Sequence, residues 1–125
     1  MRQIRKSDTG PELRVRRAAH ALGYRFRLHR KDLPGTPDLV FPSHRKVVLV
    51  HGCFWHQHPG CRLARRPKSR LDYWLPKLKR NQRRDARVIT ELRALGWDVL
   101  VVWECEADDV TKAAAALSPF LRGKS

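Results

Sequence analysis

The sequence predicts a mixed α/β fold: one sheet with helices packed on its faces. Two observations carry this. Val47-Val48-Leu49-Val50 and Val99-Leu100-Val101-Val102-Trp103 are apolar, largely β-branched runs, the pattern of buried strands. Between them, Pro76 to Leu95 places Leu78, Val88 or Ile89, Leu92 and Leu95 on one helical face. The full order reads α, β, β, β, long α, β, α, an alternation that buries a sheet under helices.

Each element has a local reason. Thr9-Gly10-Pro11-Glu12 is a helix start, with Thr9 as N-cap, Glu12 completing a capping box and Pro11 in the first turn. That helix runs through Leu13, Ala18 and Leu22 and stops near Gly23. Residues 1–8 form a polar arm. Tyr24-Arg25-Phe26-Arg27-Leu28 alternates apolar and basic, as a half-buried strand does. Leu33-Pro34-Gly35-Thr36-Pro37 is a turn, and Asp38-Leu39-Val40-Phe41 a short strand that pairs with Val47–Val50 through Pro42-Ser43-His44. Gly96 ends the long helix, and Asp108 to Leu117 is a final Ala-rich helix.

A chain of 125 residues is expected to be a single domain with one hydrophobic core. Its 27 Lys and Arg against 12 Asp and Glu leave a net charge of +15. Self-repulsion of that size calls for a polyanionic partner, and nucleic acid leads. The plainer alternative is a basic protein of the ribosome-associated kind. A membrane surface is disfavoured, because no basic amphipathic helix with a bulky apolar face is visible. The charge is concentrated: Arg62 to Arg87 holds eleven Lys or Arg against two Asp. Three cysteines, an odd number, argue against a disulfide framework. With no signal peptide and no apolar stretch near bilayer length, the chain reads as cytoplasmic and reduced. Its thiols are then candidate metal ligands.

Three constellations carry chemistry. Cys53, His58 and Cys61 lie in a C-x4-H-x2-C pattern, with Cys105 beyond the last strand; this predicts four-coordinate structural zinc. On spacing alone His56 or His51 could replace His58, and free buried thiols are the bland alternative. Asp38 begins a strand beside Val47–Val50, where a carboxylate and a main-chain carbonyl can hold Mg²⁺. His56 could then take a proton from the activated water. From spacing alone, Asp38 as a turn cap and the histidines as zinc ligands is the favoured reading. Finally, Phe54, Trp55 and Trp74 are either wedges that open a duplex or a cover for the zinc site.

Pro34-Gly35-Thr36-Pro37-Asp38, His51-Gly52-Cys53-Phe54-Trp55-His56, Tyr73-Trp74, Lys77 with Asn81 and Asp85, and Gly96-Trp97 through Trp103-Glu104-Cys105 resemble the very short patch repair endonucleases over about residues 6–106. The resemblance implies a PD-(D/E)XK restriction-endonuclease-like fold with structural zinc, and Mg²⁺-dependent nicking 5′ to the thymine of a T·G mismatch. Such mismatches arise by deamination of 5-methylcytosine. It implies Asp38 and the Val50 carbonyl as Mg²⁺ ligands, His56 as general base, His51 as a contact to the scissile phosphate and Glu12 in support. It implies Cys53, His58, Cys61 and Cys105 as zinc ligands, and Phe54, Trp55, Trp74, Lys77 and Asn81 as DNA-binding residues. A monomer in the bacterial cytoplasm, at the nucleoid and near mismatch-repair proteins, completes the expectation. Two departures stand out: Val50 replaces a frequent Thr, and the His58–Cys61 turn is one residue longer. The alternatives are a nuclease of the same fold with another DNA target, or a zinc-stapled module that binds DNA without cutting it.

Overall fold

The computed structural model describes residues 10–65 and 67–123; the 1–8 arm and the Thr9 cap lie outside the described residues. Helix α1 (Gly10–Ala21) is followed by β1 (Arg27–Leu28), β2 (Leu39–Phe41) and β3 (Lys46–His51). Then come α2 (Leu71–Ala94), β4 (Asp98–Trp103) and α3 (Val110–Arg122). The sheet order is β1-β2-β3-β4, antiparallel at the first two joints and parallel between β3 and β4. Crossing from β3 to the parallel β4 requires a long connection, and α2 supplies it.

The two faces of the sheet bury different residues, as strict alternation along a strand demands. Leu39, Phe41, Val48 and Val102 pack against Val15, Ala18 and Ala19 of α1 and Ala113, Leu117 and Leu121 of α3. The alanines let the two helices approach closely. Val40, Val47 and Leu49 face Leu92 of α2 and Trp97. With both faces covered, β3 reads as an uninterrupted apolar run.

The helices α1 and α2 both end on glycines in the left-handed region, Gly23 at φ 87° and Gly96 at φ 93°. In each case a six-to-one bond closes the end: Tyr24 N–H to Ala19 C=O and Trp97 N–H to Leu92 C=O, both 3.1 Å.

Several expectations are corrected. Helix α1 ends at Ala21, one residue short of Leu22, and its buried stripe runs through Glu12, Val15, Ala18 and Ala19. The strand expected over 24–28 pairs only at Arg27–Leu28; Tyr24 and Phe26 still lean into the core, but Leu28 is exposed. β4 is half-buried apart from Val102, since it lies at the sheet edge with one neighbour. Helix α2 starts five residues early and contains Pro76. Pro76 withholds the N–H that would bond to the Asp72 carbonyl, one turn back, so the loss falls in the first turns of the helix. Leu95 lies past the helix end and is exposed. α3 continues to Arg122, starting from the Asp109 side chain, which accepts from Lys112 N–H at 2.8 Å. Lys46, expected only to bound a strand, is buried within β3. Its ammonium donates to the carbonyls of Phe120 (2.6 Å) and Gly123, offsetting the negative end of α3.

Among the described residues, no helix is long and apolar enough to cross a membrane.

Candidate active site and metal centre

The register Val50↔Val102 and His51↔Trp103 brings the carboxyl ends of β3 and β4 level. Open α/β sheets present their polar chemistry there. Three clusters of potential ligands assemble at or beside that end.

The first is Glu12, His29 and Asp38. Asp38 is aimed by the turn before it, which Thr36 N–H closes onto the Leu33 carbonyl at 3.1 Å. Gly35 is required there: its φ is 72°, and a Cβ would collide with Val88 Cγ1 of α2. Across the β2–β3 ladder, Val50 N–H donates to Asp38 Oδ2 at 2.6 Å. His29 Nε2 lies 3.6 Å from Glu12 Oε2 and 3.7 Å from Asp38 Oδ1. Burial pushes the Asp38 carboxyl up to about 6, against the Val50 hydrogen bond and helped by the neighbouring Glu12 charge. Two carboxylates sharing a water-poor site suit a hard divalent cation, which would relieve their repulsion and take oxygen ligands.

The second is His51, His56 and Asp85. The two imidazoles stack with centroids 3.9 Å apart and planes 7° apart. His56 Nδ1 lies 2.5 Å from Asp85 Oδ2. An ionised carboxylate only accepts, so it selects the tautomer with Nδ1–H and leaves Nε2 as a base. His51 is buried, and burial, reinforced by His56, lowers its pKa to about 4; it is therefore neutral at neutral pH. Its Nδ1 is buried without a hydrogen-bond partner.

The third is Cys53, His58, Cys61 and Cys105, whose donor atoms all lie within 4.8 Å of one another. His58 Nδ1 is 3.7 Å from Cys53 Sγ and 3.5 Å from Cys105 Sγ. Tetrahedral zinc with ordinary bond lengths separates sulfur and nitrogen ligands by about 3.6 Å, so the donor set fits that ion. Of the three histidines that spacing left open, His58 lies with the thiols, whereas His51 and His56 group with Asp85. The loop is wound by His58 N–H to Cys53 C=O (3.0 Å) and Cys61 N–H to His58 C=O (3.3 Å). Without a cation, burial pushes the Cys53 thiol up to about 12; a coordinated cation inverts this by favouring thiolate. Glu104 Oε1 accepts Cys53 N–H at 3.2 Å.

Trp103 joins the second and third clusters. Its ring stacks on His58 at 4.1 Å and 8°, and meets His51 edge-on at 5.2 Å. The ring over the thiol cluster is therefore Trp103. Phe54, Trp55 and Trp74 instead pack on one another, with centroids 5.3–5.6 Å apart. Trp55 stays 38% exposed. Asn81 Nδ2 donates to the Trp55 carbonyl at 3.2 Å, and Lys77 Nζ sits 5.1 Å from the Tyr73 ring centroid.

The structure thus divides what the sequence had grouped. Asp38 belongs with Glu12 and His29; His51 and His56 belong with Asp85; the Val50–His51 segment of β3 links the two. Asp85, Trp103 and Glu104 stand among the residues that carry the resemblance but have no role assigned from the sequence, and His29 is not singled out there at all. None lies in a Cys/His-dense stretch.

A strongly basic α/β protein with acid, imidazole and thiol clusters of potential metal ligands gathered around one end of its sheet has the features of a protein that handles polyanions. Comparison with known proteins narrows the class. Residues 1–62 match the family model for the DNA mismatch endonuclease Vsr. The chain is 58% identical over 121 residues to the type II nicking enzyme V.XorIIP of Xanthomonas oryzae pv. oryzae, covering 97% of this chain and 88% of that protein. It is 45% identical over 105 residues to the DNA mismatch endonuclease Vsr of Escherichia coli K12, covering 84% and 67%. It is 42% identical over 122 residues to the type II nicking enzyme V.NmeAIP of Neisseria meningitidis, covering 98% and 86%. The chain belongs to the DNA mismatch endonuclease Vsr family, and so to the DNA endonucleases.

Proposed function

We propose that this protein is a Mg²⁺-dependent endonuclease of PD-(D/E)XK-like fold that nicks one strand 5′ to the thymine of a T·G mismatch, as required after deamination of 5-methylcytosine. The observation that carries the reading is the pairing of a buried carboxylate site, Asp38 with Glu12, with an oriented imidazole, His56 on Asp85, across two adjacent residues of β3.

In this reading Asp38 and the Val50 main-chain carbonyl hold Mg²⁺, with Glu12 in support. The hydroxyl of a threonine at position 50 is not needed, because the ligand is main chain. When bound, the cation lowers the pKa of a water and neutralises charge building on the phosphate. His56 Nε2 takes the proton from the attacking water, and Asp85 holds the ring and stabilises the imidazolium that forms. His51, kept neutral by burial, donates a hydrogen bond to the scissile phosphate. Phe54, Trp55 and Trp74 wedge into the stack beside the mismatch, while Lys77 and Asn81 contact the opened DNA. Structural zinc on Cys53, His58, Cys61 and Cys105 pins the loop that carries His56 and the aromatic pair. The chain acts as one unit and as a monomer, since a single site suits a single-strand nick. Its setting is the bacterial cytoplasm, at the nucleoid, where mismatch-repair proteins receive the nicked strand.

The test is cleavage of matched and T·G duplexes with each strand labelled separately, with and without Mg²⁺. A nick confined to the thymine strand of the mismatch is expected, and Asp38→Ala is expected to bind without cutting. Equal cutting of both duplexes would transfer the reading to another DNA target. Binding without Mg²⁺-dependent turnover would reduce the protein to a DNA-binding module.

A further inference from the structure

Helix α2 has two faces of opposite character. Its inward face holds Leu78 and Leu92 against the rest of the molecule and delivers Asp85 to His56. Trp74 and Asn81, which meet the aromatic loop, lie close to that face. At 3.6 residues per turn, Lys79, Arg80, Arg83 and Arg87 fall within an arc of about 100° on the side opposite Asp85. All four are exposed. Among the described residues none has a hydrogen-bond or ion-pair partner, whereas Arg84, beside the row, donates to Asn81 Oδ1 at 3.2 Å. Leu75 and Pro76 floor a shallow groove walled by Lys79, Arg80 and Arg83. Acids enter this side of the helix only near its ends, as Asp72 and Glu91.

Like charges four residues apart, as in Lys79, Arg83 and Arg87, destabilise a helix. A row left unneutralised on a chain of net charge +15 adds to the self-repulsion that a polyanion removes. From Lys79 to Arg87 the row rises about 12 Å, the axial length of three to four base pairs. A duplex engaged by Trp55, Trp74 and His56 lies on the other side of α2. We infer that Lys79, Arg80, Arg83 and Arg87 form a second phosphate-binding surface that grips duplex DNA outside the segment occupying the active site. This rests on the endonuclease reading, and gives the enzyme a hold on DNA while it searches for rare sites, since phosphate binding carries no sequence information.

The test replaces all four by glutamine, a good helix former, with helix content checked by circular dichroism. Affinity is then measured against salt on two duplexes carrying the same mismatch: one of about two helical turns, which covers little beyond the active-site segment, and one of about 1,000 base pairs, several persistence lengths, which can bend back to the far side of α2. On the long duplex the slope of log K against log salt should shrink by about 3 to 4, near 0.9 for each phosphate no longer neutralised. On the short duplex the slope and the single-turnover nicking rate at saturating enzyme should be unchanged. An unchanged slope on the long duplex overturns the proposal, and so does an equal drop on both lengths, which would place the row inside the active-site footprint. Wild-type nicking of the short duplex reads the endonuclease assignment separately, because the row takes no part in it.

Discussion

The thiol cluster and the acid–imidazole clusters sit at the same end of one sheet and are built in opposite ways. Cys53, His58 and Cys61 come from a single nine-residue stretch of loop, and only Cys105 arrives from elsewhere. Glu12, His29, Asp38, His51, His56 and Asp85 come from α1, the chain after β1, the approach to β2, β3, the loop and α2. A locally coded site depends on one short loop keeping its shape. A site collected from six places depends on the whole sheet and both of its helical layers. The first is therefore suited to stapling, and the second to chemistry that works only when the protein is folded.

Asp38→Ala and Cys105→Ala should separate the two regions most widely. Asp38→Ala is expected to abolish nicking and spare the folded state, whereas Cys105→Ala, or a strong chelator, should lower Tm by about 10–20 °C, the scale set by losing a ligand present far above its Kd. Melting curves and the nicking assay run side by side check this. Unchanged melting in both thiol experiments would mean that no metal staples the loop.

Within the proposed catalytic region, His56→Ala should reduce the nicking rate by about 10²–10⁴-fold, the usual contribution of a general base. Asp85→Asn should be comparably severe, up to about 10⁴-fold, because the amide favours the wrong tautomer of His56. Single-turnover rates rank the pair, and a harmless Asp85→Asn would break the proposed relay between helix and loop.

The turn that aims Asp38 gives a smaller effect on stability. Gly35→Ala meets both a positive φ and the Val88 methyl, and should destabilise by about 2–3 kcal/mol in urea unfolding.

The pH response is the smallest effect and sets the two halves of the catalytic region against each other. Between pH 6.5 and about 4 the unfolded chain holds a proton on His51 that the folded chain does not, so this group lowers stability as pH falls. Between about pH 6 and 3.8 the folded chain holds a proton on Asp38 that the unfolded chain does not, so this group raises stability as pH falls. In the metal-free protein the two oppose. His51→Gln leaves Asp38 alone, and the variant should gain about 2 kcal/mol relative to wild type on going from pH 6.5 to 4, read by urea unfolding.

Much of this is legible in the chain alone. β3 is apolar on both faces, so its central place followed from composition, and Gly23 and Gly96 marked their helix ends because only glycine enters the left-handed region without strain. The thiol cluster was readable for the same local reason, as three of its four donors are close neighbours in the chain. Strand β4 looked as buried as β3, yet one lies at the edge and the other inside, a difference that depends on partners and not on side chains. Pro76 looked like a helix start, yet α2 begins about one and a half turns before it, at Leu71.

What the sequence determined by itself is periodicity, charge and local ligand density: the element order, the basic character and the Cys/His loop. Tertiary structure alone decided which histidine joins the thiols, which carboxylate lies against His56, and that His29 joins Asp38 and Glu12. Those choices turn on distances of a few ångströms between residues as far apart in sequence as His58 and Cys105, which are separated by 47 positions. Strand register and helix docking set such distances, and neither leaves a local trace in the chain.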